Sequence, residues 1–264
     1  MPAMAHTPES QIGREEHNEQ GSPELKLVGE PIFDCQKKVL AIMAHPDDAD
    51  FSCGGFLTRL GEEGHHVTLY VATSGQKGRD RHTHQDEEEF SAMRQREQFE
   101  SGAILGLVEV QFGSFVDGHT HAEHGNMVET FTEMIRTYQP DILIVADPYT
   151  RLYRQHPDHR NVGLAALDAS FPAAGMNTYY PDQFDKGLLP WWVEQVWLVF
   201  SDRVDVAVEL SDEHVMRKTK ALACHWTQRD SHGVEQSVAV RERAADAYAS
   251  LEWAETFAHS WGNR

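Results

Sequence analysis

Two short runs concentrate the side chains able to ligate a cation or carry a proton: His45-Pro46-Asp47-Asp48 and His156-Pro157-Asp158-His159. Imidazole and carboxylate are the ligand types zinc takes in catalytic sites, where three protein ligands leave a position open for water. Together the runs hold more such groups than three ligands use, so a base and an acid remain for proton transfer. One His-Pro-Asp turn would be unremarkable in a soluble protein. Two copies, each following a strongly apolar stretch, point to a site. Cys35, Cys53 and Cys224 lie far apart, which disfavours a closed structural zinc centre and favours a catalytic one.

The stretches before these runs must place them. Val39 to Ala44 is continuously apolar, as in a strand buried on both faces, and Pro46 stops it. Ile142 to Ala146 has the same character and precedes the second run. In an open α/β sheet, ligands bind outside the carboxyl ends of the strands, and right-handed crossovers can bring two such ends together. A dinucleotide turn would need Gly-x-Gly-x-x-Gly after the first strand. Acids and a histidine stand there instead, so a nucleotide-binding oxidoreductase is disfavoured.

Further strands are expected at His66–Ala72, Val108–Phe112, Val193–Phe200 and Val204–Leu210. Helices are expected from Gly54 to about Glu63, Asp86 to Leu105, Met127 to Tyr138, His156 to Leu167 and Glu213 to His225. A last helix is expected in the Ala/Glu/Arg-rich stretch Val238–Phe257. Strands alternating with helices predict an α/β fold, a mostly parallel sheet with helices on both faces. Residues 1 to 25 read as a flexible polar tail, and 26 to 264 as one domain ending in that helical segment.

At 264 residues and 40% hydrophobic content, the chain can bury one sizeable core. A formal net charge of −19 argues against nucleic acid or an anionic membrane as the main partner. No run is apolar over a membrane-spanning length, and the first residues lack the apolar core of a signal peptide. Few, odd and scattered cysteines suit a reducing cytoplasm.

Ala44-His45-Pro46-Asp47-Asp48-Ala49-Asp50, followed by Cys53-Gly54-Gly55, resembles the signature of the PIG-L (LmbE-like) zinc-dependent N-deacetylases. His156-Pro157-Asp158-His159 resembles the second motif of that family. Arg94 with Glu97, Leu105-Gly106, Asp117-Gly118 and Lys220-Ala221-Leu222 with His225 and Gln228 also match. The resemblance covers roughly residues 38 to 230. It implies a Rossmann-like (LmbE-like) fold and deacetylation of a small N-acetylated molecule, an N-acetylglucosamine-type conjugate, by attack of a zinc-bound water. It further implies His45, Asp48 and His159 as metal ligands and Asp47 as general base. His156 would assist the oxyanion or the leaving amine, with Asp158 orienting or charging it, and Arg94 and Asp117 would contact the sugar. Iron(II) fits the same nitrogen and oxygen ligands.

Two departures bear on the substrate. The glutamate of the family's turn after the second strand is Gln76 here, and Arg154 stands where mycothiol-pathway relatives carry a tyrosine, with Tyr153 one step earlier. Cleavage of a larger amide is the alternative activity. A binding module without turnover is disfavoured, because it needs neither Asp47 nor His156. The expected partners are the small-molecule substrate and further copies of the chain as a homo-oligomer, with no nucleic acid and no membrane. His82, His84, His119, His121 and His124 read as solvated rim residues, Cys53 as packing, and Trp191, Trp192 and Trp197 as core or interface.

Overall fold

A computed structural model describes residues 26–28, 31–79, 86–150, 155–228 and 254–261. Along the chain run β1 (Lys26–Val28), β2 (Lys38–Met43), α1 (Asp48–Glu62), β3 (His66–Thr73), α2 (Glu87–Leu105), β4 (Glu109–Phe115) and α3 (His124–Tyr138). Then follow β5 (Ile142–Ala146), α4 (Pro157–Asp168), the single turn α5 (Asp182–Asp185), β6 (Gln195–Val199), β7 (Val206–Glu209), α6 (Asp212–Cys224) and β8 (Ala254–Trp261). The strands form one sheet in the order β1-β7-β8-β6-β5-β2-β3-β4. Among the described residues every pairing is parallel except those of β8, which runs antiparallel between β6 and β7. The expected α/β architecture is therefore present.

β2 alternates between two cores. Val39, Ala41 and Met43 face Phe56, Leu57 and Leu60 of α1, with Leu105 of α2 and Ala221 of α6 in the same layer. Leu40 and Ile42 face the other way, toward Phe131 and Ile135 of α3 and Val162 and Ala165 of α4. Each such large side chain taken fully out of water contributes roughly 1.5–3 kcal/mol. The continuous apolar run of β2 thus follows from helices covering both faces.

From β2 the chain steps outward through β3 and β4, then returns to lay β5 on the opposite side of β2. The order reverses between β2 and β5, which opens a crevice beyond their carboxyl ends. Both His-Pro-Asp runs begin there.

Two expectations are corrected. The first helix starts at Asp48, not Gly54; the glycine pair follows an interruption at Cys53 (φ −147°) within α1. The Gly55 and Phe56 N–H groups freed there donate to the Glu255 carboxylate (3.1 and 2.7 Å), and Lys218 pairs with Glu255. The helix expected over Val238–Phe257 is a strand where it is described, from Ala254 onward; 238–253 lie outside the described residues, as do 1–25. The Ala/Glu/Arg-rich pattern that suggests a helix belongs to the residues before that strand; Thr256, Phe257 and Trp261 are strand formers, β6 and β7 supply ladder hydrogen bonds on both sides, and Phe257 enters the core. β1, not anticipated, adds a short edge beside β7.

Candidate active site

The two strand ends are held by different devices. Beyond β2, the Ala44 carbonyl accepts the Thr73 N–H (3.0 Å) and hydroxyl (2.9 Å). Asp48 opens α1, and its Oδ2 reaches back to the N–H groups of Ala44 (3.1 Å) and His45 (2.8 Å). Asp47, between them, takes a left-handed backbone (φ 87°). The adjacent carboxylates consequently diverge, Asp48 toward two histidines and Asp47 toward the Arg94 guanidinium (2.9 Å). Beyond β5, Pro157 occupies the first turn of α4, and His156 caps it by accepting the Asp158 N–H at Nδ1 (3.2 Å). Gly163 lets α4 sit against the end of β5, since a Cβ there would collide with the Ala146 carbonyl.

His45 Nδ1 lies 3.3 Å from His159 Nε2, His159 Nε2 lies 3.0 Å from Asp48 Oδ1, and His45 Nδ1 lies 3.6 Å from Asp48 Oδ2. Ligands about 2.0–2.1 Å from a tetrahedral zinc stand about 3.3 Å apart, so these atoms fit the edges of one such site. His45 Nε2 meets Asp117 Oδ1 and Asp158 Oδ2, each at 3.2 Å, which keeps the proton on Nε2 and leaves Nδ1 for a cation. His159 is stacked on Phe200 (centroids 5.2 Å apart, planes 13°), fixing its ring. Burial opposes charge on His45, but Asp117, Asp158 and Asp48 raise its pKa well above the usual histidine range. Burial likewise pushes the Asp48 carboxyl up, yet His159 and His45 hold it well below the usual carboxylate range. These carboxylates suit a divalent cation in place of the ring's proton.

A second grouping, His45 with His156 and Asp158, is geometrically close as well. Its members are already engaged. Asp158 accepts the Gly118 N–H (2.6 Å), the Thr120 hydroxyl (2.5 Å) and His45 Nε2, while His156 Nδ1 holds its cap. The donor set of His45, Asp48 and His159 is the better fit.

A family model described as GlcNAc-PI de-N-acetylase, PIG-L, matches residues 40–170. A diacetylchitobiose deacetylase of Thermococcus kodakarensis is 31% identical over 207 residues, covering 76% of this chain and 73% of that protein. The chain belongs to the PIG-L family. A 1D-myo-inositol 2-acetamido-2-deoxy-alpha-D-glucopyranoside deacetylase of Corynebacterium glutamicum (strain R) is 28% identical, over 72% of this chain and 74% of that one. The solved N,N'-diacetylchitobiose deacetylase from Pyrococcus horikoshii superposes with a TM-score of 0.77 at 26% identity, covering 85% of this chain and 84% of that one. The LmbE-like architecture expected of this PIG-L chain is thereby matched.

The remaining expected site residues of this PIG-L protein lie around that triangle of donor atoms. The His156 ring is exposed, its centroid 4.7 Å from that of His45. Burial and the neighbouring His45 and His159 lower its pKa. The Asp158 carboxylate meets His45 directly, and no bond to the His156 ring is present among the described residues. Burial pushes the Asp47 carboxyl up, with Arg94 opposing. Asp117 accepts the Lys77 N–H at Oδ2 (2.7 Å). Arg94 is buried, donating to the carbonyls of Pro46 (2.6 Å) and Gly75 (3.1 Å) as well as to Asp47.

Other expectations sort by burial. Cys53 and Trp197 are in the core, and Trp192 is half exposed. His119 and His121 are exposed, and His124 pairs with Asp168 (3.1 Å). His82, His84, Tyr153 and Arg154 lie outside the described residues. His225 is buried at 3.4 Å from Asp50, and Gln228 is buried nearby on the Gly78 carbonyl. Sequence reasoning missed Thr120, Phe200 and Gln98. Gln98 is fully buried on the face of α2 that carries Arg94. Only its four-residue spacing from Arg94 could have drawn notice.

Proposed function

We propose that this protein is a cation-dependent N-deacetylase of N-acetylglucosamine-type compounds, with His45, Asp48 and His159 as the metal ligands. The observation that carries the reading is the convergence of those three donor atoms with a separate carboxylate, Asp47, turned aside from them. The PIG-L relatives named as deacetylases of acetamido sugars support the substrate class. A divalent cation held there, zinc or iron(II), would make water more acidic and polarise the amide carbonyl. Asp47 takes the proton of the attacking water, its raised pKa making it the stronger base. His156, with Nδ1 engaged by its cap, presents Nε2–H as a hydrogen-bond donor to the amide oxygen, and the proton that Asp47 takes from the water passes to the departing amine. Asp158 and Asp117 fix the His45 ring and so the ligand geometry. Asp117 would accept from a sugar hydroxyl, since its oxygens retain acceptor capacity beside their present partners, whereas Arg94, buried on Pro46, Gly75 and Asp47, would act on the substrate through Asp47. The scattered cysteines support a cytoplasmic setting. No helix among the described residues is long and apolar enough to cross a membrane.

The test is acetate release from N-acetylglucosamine, its β-linked disaccharide and small N-acetylglucosaminides, beside larger amides of the same amines. Acetate should appear from at least one acetamide, stop with a chelator and return with zinc or iron(II). Preferential cleavage of the larger amides would replace deacetylation by amidase activity, and chelator-resistant turnover would remove the cation from the reading.

A further inference from the structure

We propose that Gln98 is a positioning residue for this reaction, clamping Asp47 in the left-handed backbone that aims its carboxylate. The inference rests on the proposed role of Asp47 as base. Asp47 has φ 87° and ψ −21°, a region that non-glycine residues enter at a cost. Without that turn, Asp47 could not point away from Asp48 while Asp48 starts α1. The restraint comes from α2. Gln98 Oε1 accepts the Asp47 N–H (2.8 Å), and one helical turn earlier Arg94 donates to the Pro46 carbonyl and the Asp47 carboxylate.

The Gln98 amide is held at both ends. Its Nε2 donates to Asp50 Oδ2 (2.9 Å), and Asp50, wholly buried, is also met by the Ser101 hydroxyl and by His225 Nε2 at 3.4 Å. Flipping the amide would set an NH2 against the Asp47 N–H and a carbonyl against a buried carboxylate. Its orientation is therefore fixed, and Asp50 and His225 acquire a purpose: they hold the holder. Glutamine supplies both an acceptor and a donor in one neutral group, as the two ends require. A burial-only role would be served equally by methionine.

The experiment uses the full chain with Gln98→Met, which keeps length without the hydrogen bonds, and Gln98→Glu, which keeps the acceptor for Asp47 and, sharing one proton with Asp50, still donates to it. Gln98→Met should lose about 10- to 100-fold in kcat, the usual cost of removing a group that orients a site residue, with KM and bound metal near wild type. In an Asp47→Asn background the same change should cost nothing further, because the two act through one group. Independently of turnover, exchange of the Asp47 amide proton should be slow in wild type and Gln98→Glu, and fast in Gln98→Met. Equal exchange in wild type and Gln98→Met overturns the clamp, whatever the activity. Additive losses in the double variant, or a Gln98→Met loss confined to KM, overturn its action through Asp47. Slow Asp47 exchange in a wild-type protein that releases no acetate from any acetamide overturns the catalytic reading and leaves the clamp without a reaction to serve.

Discussion

Asp47→Asn is expected to keep its fold and its metal while losing about 10²- to 10⁴-fold in kcat, the worth of a positioned general base. Asparagine tolerates the left-handed region as well as aspartate does, so the turn at φ 87° is preserved. It also keeps an oxygen for Arg94, which donates to Asp47 at 2.9 Å. What it loses is the capacity to take a proton. Metal analysis and acetate release, measured on the same preparation, decide the matter. Turnover close to wild type would show that the proton goes elsewhere, with Asp117 and Asp158 the carboxylates closest to His45.

His159→Ala is expected to lose most of its bound metal and with it nearly all activity. Changing groups that merely orient metal ligands costs about 10- to 100-fold in affinity, so removing a ligand should exceed that range. Asp48→Asn should behave alike but more mildly, since one oxygen can still accept the Ala44 and His45 N–H groups. Excess zinc should restore part of its activity and little of that of His159→Ala. Elemental analysis after dialysis reads the first effect and titration with metal the second. Full metal occupancy in His159→Ala would move the cation away from this triangle. Metal loss in Asp47→Asn with retention in Asp48→Asn would exchange the roles of the two neighbours.

β2 and its motif were legible because a strand buried on both faces has to be apolar throughout, and Pro46 can only end it. The long helix α2 was legible for similarly local reasons. Asp86 accepts the Glu88 and Glu89 N–H groups, the acids sit at the positive end of the dipole, and Gly106 closes it at φ 81°. The start of α1 was not, because glycines at 54 and 55 look like an entrance, whereas they mark the interruption after Cys53. β8 was hidden because the Ala/Glu/Arg-rich run ahead of it masks the strand formers Thr256, Phe257 and Trp261, and its pairing depends on β6 and β7, far away in sequence. In the site, the ligand types announced themselves through the paired motifs. Their supports did not. Gln98 is an ordinary amide on a charged helix until folding brings the Asp47 N–H and the Asp50 carboxylate to its two ends. Phe200 is the residue after a strand until the His159 ring lies on it.

The bonds from Glu255 to the Gly55 and Phe56 N–H groups join residues 200 and 199 positions apart. On a chain made from its amino end, α1 leaves the ribosome well before Glu255, so the carboxylate that caps its interrupted middle comes only later. The same strand joins β7 to β6, so the sheet also stays in two parts until then. Closing so long a loop adds little cost beyond a shorter one, because the penalty grows only with the logarithm of length. Its consequence is in time, since distant pairings are slow to form. The helix that begins with Asp48 is written well before the residue that finishes it.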